Sequence, residues 1–171
     1  MMPFRSLFVV MAATVVLVGA RSGAEAQFPR GLLAAAPRDK PDGVCTIETR
    51  PLSFGNYDPE ANGNVDAVAQ VIYTCNQHAK KIRIEMTTGG ANQFSPRHMS
   101  ANAVDHLDYN IYLDATRQTI WGQGLYGTDV YYENNPPNGT PVIVPAYGRI
   151  FARQSPVVGQ YLDVLTVRVL F

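Results

Sequence analysis

The sequence carries no net charge and has only two cysteines, and each of these features argues against certain classes of function. Fourteen Lys and Arg residues balance fourteen Asp and Glu residues. A chain without a basic excess has no global electrostatic attraction to nucleic acid. Two cysteines with no third and fourth ligand at zinc-like spacing do not indicate a metal site, so we expect no metal and no cofactor.

Catalytic motifs are also missing. Ser53 lies in Leu-Ser-Phe-Gly rather than in a nucleophile elbow, and the chain has neither a phosphate-binding glycine loop nor an H-E-x-x-H pair. The three histidines are expected to be surface residues or hydrogen-bonded structural residues. We therefore predict that the protein is not an enzyme.

The N-terminal apolar run is short for a membrane anchor and instead predicts a signal peptide. Arg5 precedes an apolar stretch over residues 7–20, and Ala24-Glu25-Ala26 forms an A-x-A cleavage signal. A bilayer span needs about 20 apolar residues. We predict a signal peptide at residues 1–26 and a secreted, nearly neutral chain after it, which is large enough for one domain.

Secretion places Cys45 and Cys75 in an oxidising compartment. Two cysteines in such a compartment predict a single disulfide. The bond would restrict the unfolded chain by roughly 3–4 kcal/mol. The alternative is a reactive or metal-binding thiol pair, for which the sequence supplies no neighbouring ligands.

Apolar and polar residues alternate along much of the chain after residue 27, and no segment there sustains a helical period. The alternation is clearest at Ile82, Ile84 and Met86. Further runs lie at Val65, Ala67, Ala69, Val71, Tyr73 and Cys75, and at Leu107, Tyr109, Ile111 and Leu113. Gly- and Pro-rich turns separate the runs. The pattern predicts an all-β fold, an immunoglobulin-like sandwich, with a small barrel as the alternative.

The last residues form one more alternating run. Leu165, Val167, Val169 and Phe171 share one face of a predicted strand. Most domains end in a loosely held polar tail, so we expect the edge of this strand to be available to another chain. An ordinary terminal strand, paired on both sides within its own sheet, is the alternative.

A series of short motifs frames the cysteine pair and continues toward the C-terminus. In order they are Cys45-Thr46-Ile47, Leu52-Ser53-Phe54-Gly55-Asn56-Tyr57-Asp58-Pro59, Tyr73-Thr74-Cys75, Arg97-His98-Met99, Leu107-Asp108-Tyr109-Asn110-Ile111-Tyr112, Trp121-Gly122-Gln123-Gly124, Tyr147-Gly148-Arg149-Ile150 and Gly159-Gln160-Tyr161-Leu162-Asp163. Together with the terminal Phe171, these motifs resemble the blocks of the spore coat protein U domain family over residues 44–171.

That family is similar to the pilin subunits of archaic chaperone-usher pili, and the resemblance has several implications. The fold would be an immunoglobulin-like sandwich that lacks one strand and is completed by a donor strand. The partners would be a periplasmic chaperone, an outer-membrane usher and neighbouring pilin subunits. The protein would be a secreted structural subunit of a surface fibre of a Gram-negative bacterium, with a role in adhesion and biofilm formation.

The resemblance also implies where the strand exchange takes place. The acceptor groove would lie along Leu165, Val167, Val169 and Phe171. The donor would come from the N-terminal extension, residues 27–43. Its apolar residues of suitable spacing are Phe28, Leu32, Ala34 and Ala36. Prolines at positions 29, 37 and 41 interrupt this extension, which indicates a weak donor and a minor, terminal or non-polymerising subunit.

An aromatic segment supports a second hypothesis. Trp121, Tyr126, Tyr131 and Tyr132 gather in a Gly- and Asn-rich stretch that could present aromatic rings to a sugar or a surface. A surface- or glycan-binding adhesin module is therefore the alternative function, and an autonomous coat protein is a third. Packing of these rings at the end of the sandwich would remove the adhesin argument.

Overall fold

The computed structural model describes residues 7–13, 44–76 and 79–171, and these residues form ten strands and one short 3₁₀ turn at Gly89–Ala91. In chain order the strands are β1 Leu7–Ala13, β2 Cys45–Arg50, β3 Leu52–Gly55, β4 Val65–Cys75, β5 Lys81–Met86, β6 Arg97–Ser100, β7 His106–Tyr112, β8 Tyr131–Asn134, β9 Val142–Ile150 and β10 Leu162–Leu170. The all-β prediction is confirmed.

The strands form a single hydrogen-bonded sheet that folds over into two layers. Its order is β2-β4-β9-β7-β6-β10-β1-β3, and β5 pairs with the other edge of β10 and carries β8. Every ladder is antiparallel except the one between β1 and β10. Ring contacts set β3 against β7 and β8 against β4, so we assign β2, β4, β9, β7 and β6 to one layer and β8, β5, β10, β1 and β3 to the other.

Aromatic contacts join the two layers across the core. The ring of Phe54 on β3 meets that of Tyr109 on β7 edge-on, with their centroids 6.1 Å apart. At the other side, the rings of Tyr73 on β4 and Tyr131 on β8 are also 6.1 Å apart. Two sheets that pack face to face in this way make a β-sandwich, as predicted, rather than a small barrel.

Side-chain alternation decides which face of each strand is buried. On β5, Ile82, Ile84 and Met86 are fully buried, and the residues between them are half-buried. On β4, Val71 and Tyr73 are buried while Val68 is exposed. Successive side chains of a strand point to opposite faces, so the period of two read from the sequence places the core correctly.

The disulfide predicted from the sequence is present. Cys45 and Cys75 lie directly opposite each other in the first pair of the β2–β4 ladder, and their sulfur atoms are bonded. The bond fastens β2, an outer strand, to the long central strand β4.

No helix in the part of the chain that the structure describes is long and apolar enough to cross a membrane. Among the same residues, no group of three or more His, Cys, Asp or Glu side chains could hold a metal ion.

Candidate strand-acceptor groove

The β1 strand fills a slot one strand wide between β10 and β3. It runs parallel to β10, from Phe8 opposite Leu162 to Ala13 opposite Val167. On its other edge it pairs antiparallel with β3. Within the described residues, β3 has no ladder partner other than β1. The strand that closes this layer therefore comes from the segment that the sequence predicts to be part of a signal peptide.

Apart from the buried Asp163 of β10, the side chains on the inner side of the slot are apolar. On β10 the inward residues Leu165, Val167 and Val169 are buried, and on β3 Leu52 and Phe54 are buried. Phe171 lies beyond the end of β10 and is 41% exposed. The structure thus places three of the four predicted groove residues on one buried face, and it adds β3 as a second wall.

The other edge of β10 has partners at its start, at Thr166 and along its last residues. Leu162 pairs with Ser100 of β6, and residues 167–170 pair with β5. Between them, Thr87 holds Thr166: the Thr87 amide donates to the Thr166 carbonyl (3.1 Å), and the Thr166 amide donates to the Thr87 hydroxyl (2.9 Å). Only the edge that faces the slot is left for an additional strand, because the edge on the far side has its own partners.

A buried carboxylate anchors the first half of β10. Asp163 accepts hydrogen bonds from the hydroxyl of Tyr109 (2.7 Å) and from the amide of Gly90 (2.9 Å). Gly89 has a φ of +67°, and a Cβ at this position would collide with the Asp163 carboxylate. Burial raises the pKa of Tyr109 well above its usual range, so the hydroxyl remains a donor.

A buried arginine holds the segment that contacts β10. Arg97 is fully buried and donates to the carbonyls of Thr87 (3.0 Å) and Trp121 (2.7 Å) and to the side-chain oxygen of Asn110 (2.6 Å). Burial lowers its pKa to about 10, which leaves it protonated at neutral pH. Through Thr87, Arg97 connects the core to the edge of β10 that lies opposite the slot.

Sequence reasoning did not identify Arg97 or Asp163 as part of this site, although a signal for one of them was available. Asp163 precedes Leu165 and Val167 by two and four residues, so its side chain lies on the same face of the strand and is the acidic residue of an otherwise apolar face. Arg97 belongs to a motif of the family resemblance, but nothing local to it reveals burial. For Leu52 and Phe54 the sequence indicates only that they belong to a family motif, and not that they line a groove.

The aromatic segment is mostly packed rather than presented. Trp121 is fully buried, and its indole nitrogen donates to the Ile84 carbonyl (2.9 Å). Tyr131 is half-buried against Trp121 and Tyr73. The hypothesis that Trp121 is a surface-binding aromatic is wrong, because its ring has no contact with solvent. Tyr131 exposes only part of its ring to a binding partner. Tyr126 and Tyr132 are 89% and 49% exposed.

The candidate donor residues Phe28, Leu32, Ala34 and Ala36 lie outside the described residues. The N-terminal extension, residues 27–43, and the predicted cleavage site lie outside them as well. Their roles stay predictions.

Gly148 lets the β3 wall of the slot lie close to β9. A Cβ at this position would overlap the Leu52 side chain and lie 2.8 Å from the ring of Phe54. We expect Gly148→Ala to lower the free energy of unfolding of the full chain by about 1–3 kcal/mol, as overpacking does, in urea titration. Gly63→Ala is the matched control because its Cβ would meet nothing within 4 Å. Equal stability of the two variants would contradict close packing of β3 on β9.

The fold has a known relative among solved structures. A chain of the CsuC–CsuE chaperone–tip adhesion subunit pre-assembly complex, from the archaic chaperone-usher Csu pili of Acinetobacter baumannii, matches with a TM-score of 0.54 and 20% identity. The match covers 75% of this chain and 40% of that chain, so it spans less than half the length of the structural relative. At this level of identity the similarity shows the fold.

Comparison at the level of sequence gives the family. Comparison with the curated proteins found no match. The family model described as Spore Coat Protein U domain matches residues 36–168, which is most of the chain and includes β3 and all but the last two residues of β10. The protein belongs to the Spore Coat Protein U domain family.

Proposed function

We propose that the protein is a secreted, non-enzymatic structural subunit of a surface pilus that is assembled by the chaperone-usher pathway. The observation that carries this proposal is the slot between β10 and β3, which is one strand wide and lined by apolar side chains. Here it is filled by a segment that the sequence predicts to be cleaved. Family membership and the fold shared with a chaperone–subunit complex support the same function.

Removal of residues 1–26 would leave the slot without its strand. The backbone groups along the inner edge of β10 would lose their partners, and Leu165 and Val167 would lose the strand that lies opposite them. A strand from a periplasmic chaperone would restore both sets of contacts. At the outer-membrane usher, the N-terminal extension of the next subunit would then replace the chaperone strand.

The parts of this exchange have separate physical roles. Main-chain hydrogen bonds along β10 give strength that does not depend on sequence, while side chains that enter the apolar slot give specificity. Repetition of this exchange from subunit to subunit would build a fibre on the surface of a Gram-negative bacterium. The fibre would serve adhesion and biofilm formation. The proline-interrupted extension of this chain favours a minor or terminal position in the fibre.

Periplasmic expression of the full chain with and without a candidate chaperone tests the proposal. We expect the protein to be recovered as a complex with the chaperone, visible by size-exclusion chromatography and by an unboiled denaturing gel. Without the chaperone we expect aggregation or degradation, because an open apolar slot and an unpaired strand edge are exposed. A stable, cooperatively folded monomer that lacks residues 1–26 and needs no chaperone would refute strand exchange.

That last outcome would favour the alternative function, a surface- or glycan-binding adhesin module. Tyr126 and Tyr132 remain available for such binding because both rings are exposed, and Leu125 beside Tyr126 is exposed as well. An autonomous coat protein would also be compatible with a self-sufficient monomer, and glycan binding by the exposed tyrosines would separate the two.

A further inference from the structure

The outer side of the slot is apolar along half of its length. On the outward face of β10, Leu162 and Val164 are 45% and 56% exposed even though β1 lies beside them. The next outward residues, Thr166 and Arg168, are polar. Outward residues of a strand in a soluble sandwich are usually polar, so two adjacent apolar positions at the start of β10 require an explanation.

The register shows which positions of an inserted strand lie next to them. Leu162 and Val164 are opposite Phe8 and Val10 of β1, whereas the inward positions Asp163 and Leu165 are opposite Val9 and Met11. Side chains that are opposite each other on one face of a ladder are close enough to pack. All four residues that this register sets opposite positions 162–165 of β10 are apolar in the sequence: Phe8, Val9, Val10 and Met11.

The second wall contributes a small residue to the outward side of the slot. Ser53 of β3 is opposite Phe8 on the other edge of β1, so the outward row runs from Leu162 through position 8 to Ser53. Ser53 is small and exposed, so β3 adds no bulky side chain to this row. In a strand of simple alternation, this row would instead carry polar residues.

We propose that the slot selects a strand that is apolar on both faces at the positions opposite Leu162 and Val164, and that these two side chains make the selection. The inference rests on the proposed strand-acceptor function and specifies the partner: a strand from another polypeptide, parallel to β10, with consecutive apolar residues over its first half. Beyond Thr166 the outward positions need only be compatible with water and with the charge of Arg168.

Two synthetic peptides test this proposal on the secreted protein recovered with its chaperone. The first has the sequence of residues 7–13 between lysines added for solubility. The second carries serine in place of Phe8 and Val10 and keeps the inward residues unchanged. We expect the first peptide to displace the chaperone with roughly tenfold higher apparent affinity, because only its outward side chains bury apolar surface against β10.

Variants of the protein assign the preference to particular side chains. The double variant Leu162→Ser/Val164→Ser should bind both peptides with similar affinity, while the control Val68→Ser, at a 53% exposed position of the other layer, should keep the preference. If the double variant does not fold, Val164→Thr, which preserves shape, should still reduce the preference.

The outcomes separate this inference from the function on which it rests. Equal binding of both peptides by the unmodified protein would overturn the selection and leave strand acceptance intact. Preference for the first peptide that persists in the double variant would also overturn the role of Leu162 and Val164. Failure of both peptides to bind at any concentration would overturn strand acceptance and the selection together.

Discussion

Val167→Asp is expected to abolish capture of the protein by a chaperone strand. Val167 is fully buried on the inward face of β10, opposite Ala13 of β1 and Met86 of β5. A carboxylate at this position would enter the apolar slot without a partner, and an uncompensated buried charge costs about 3–5 kcal/mol. Capture should weaken by a factor of about 100 or more, as measured by the yield of chaperone complex in size-exclusion chromatography.

The matched control is Val68→Asp. Val68 lies on the outer face of β4 and is 53% exposed, so the same chemical change occurs where water solvates the new charge. We expect its effect on stability to stay within about 0.5 kcal/mol, with capture unchanged. If Val167→Asp and Val68→Asp gave the same yield of complex, β10 would not be the acceptor edge.

Arg97→Met is expected to remove a large part of the stability of the domain. The substitution retains the apolar stem but leaves the carbonyls of Thr87 and Trp121 and the side-chain oxygen of Asn110 without their buried donor. It also removes a positive charge near the buried Asp163. We expect the free energy of unfolding to fall by about 3–5 kcal/mol, a large fraction of the 5–15 kcal/mol typical of a domain.

Urea unfolding of the full chain measures this loss, and Arg168→Met is the control. Arg168 is on the outward face of β10 and is exposed, so its replacement should change stability by no more than about 0.5 kcal/mol. Because Thr87 holds Thr166, Arg97→Met should also lower the yield of chaperone complex. A loss below about 1 kcal/mol would show that the arginine does not hold this part of the fold together.

The strands and their buried faces could be predicted from local pattern because the period of a strand is a property of its own residues. Ile82, Ile84 and Met86 alternate with polar residues, and all three are in the core. The pairing of Cys45 with Cys75 was equally accessible, since two cysteines in an oxidising compartment have only one intramolecular partner each. The apolar face of β10 could be predicted in the same way, because its residues also alternate between apolar and other side chains.

The slot itself was not visible in the pattern, because it is made by strands that are distant in sequence. β3 and β10 are separated by more than a hundred residues, and alternation does not reveal which strands become neighbours. The burial of Trp121 also depends on residues that are distant in sequence. An aromatic residue in a Gly-rich stretch can be buried or exposed, and here the Ile84 carbonyl accepts a hydrogen bond from the buried indole.

For this protein, residue order alone therefore determined the all-β class, the disulfide, the inward faces of the strands and the membership of motifs in a family. These are consequences of local periodicity and of chemistry that needs no neighbour. Tertiary structure alone placed β1 between β10 and β3, buried Arg97 and the Asp163 side chain of β10, and left Leu162 and Val164 of the same strand exposed. Which edges meet, and which polar groups find partners, depends on contacts between residues that are far apart along the chain.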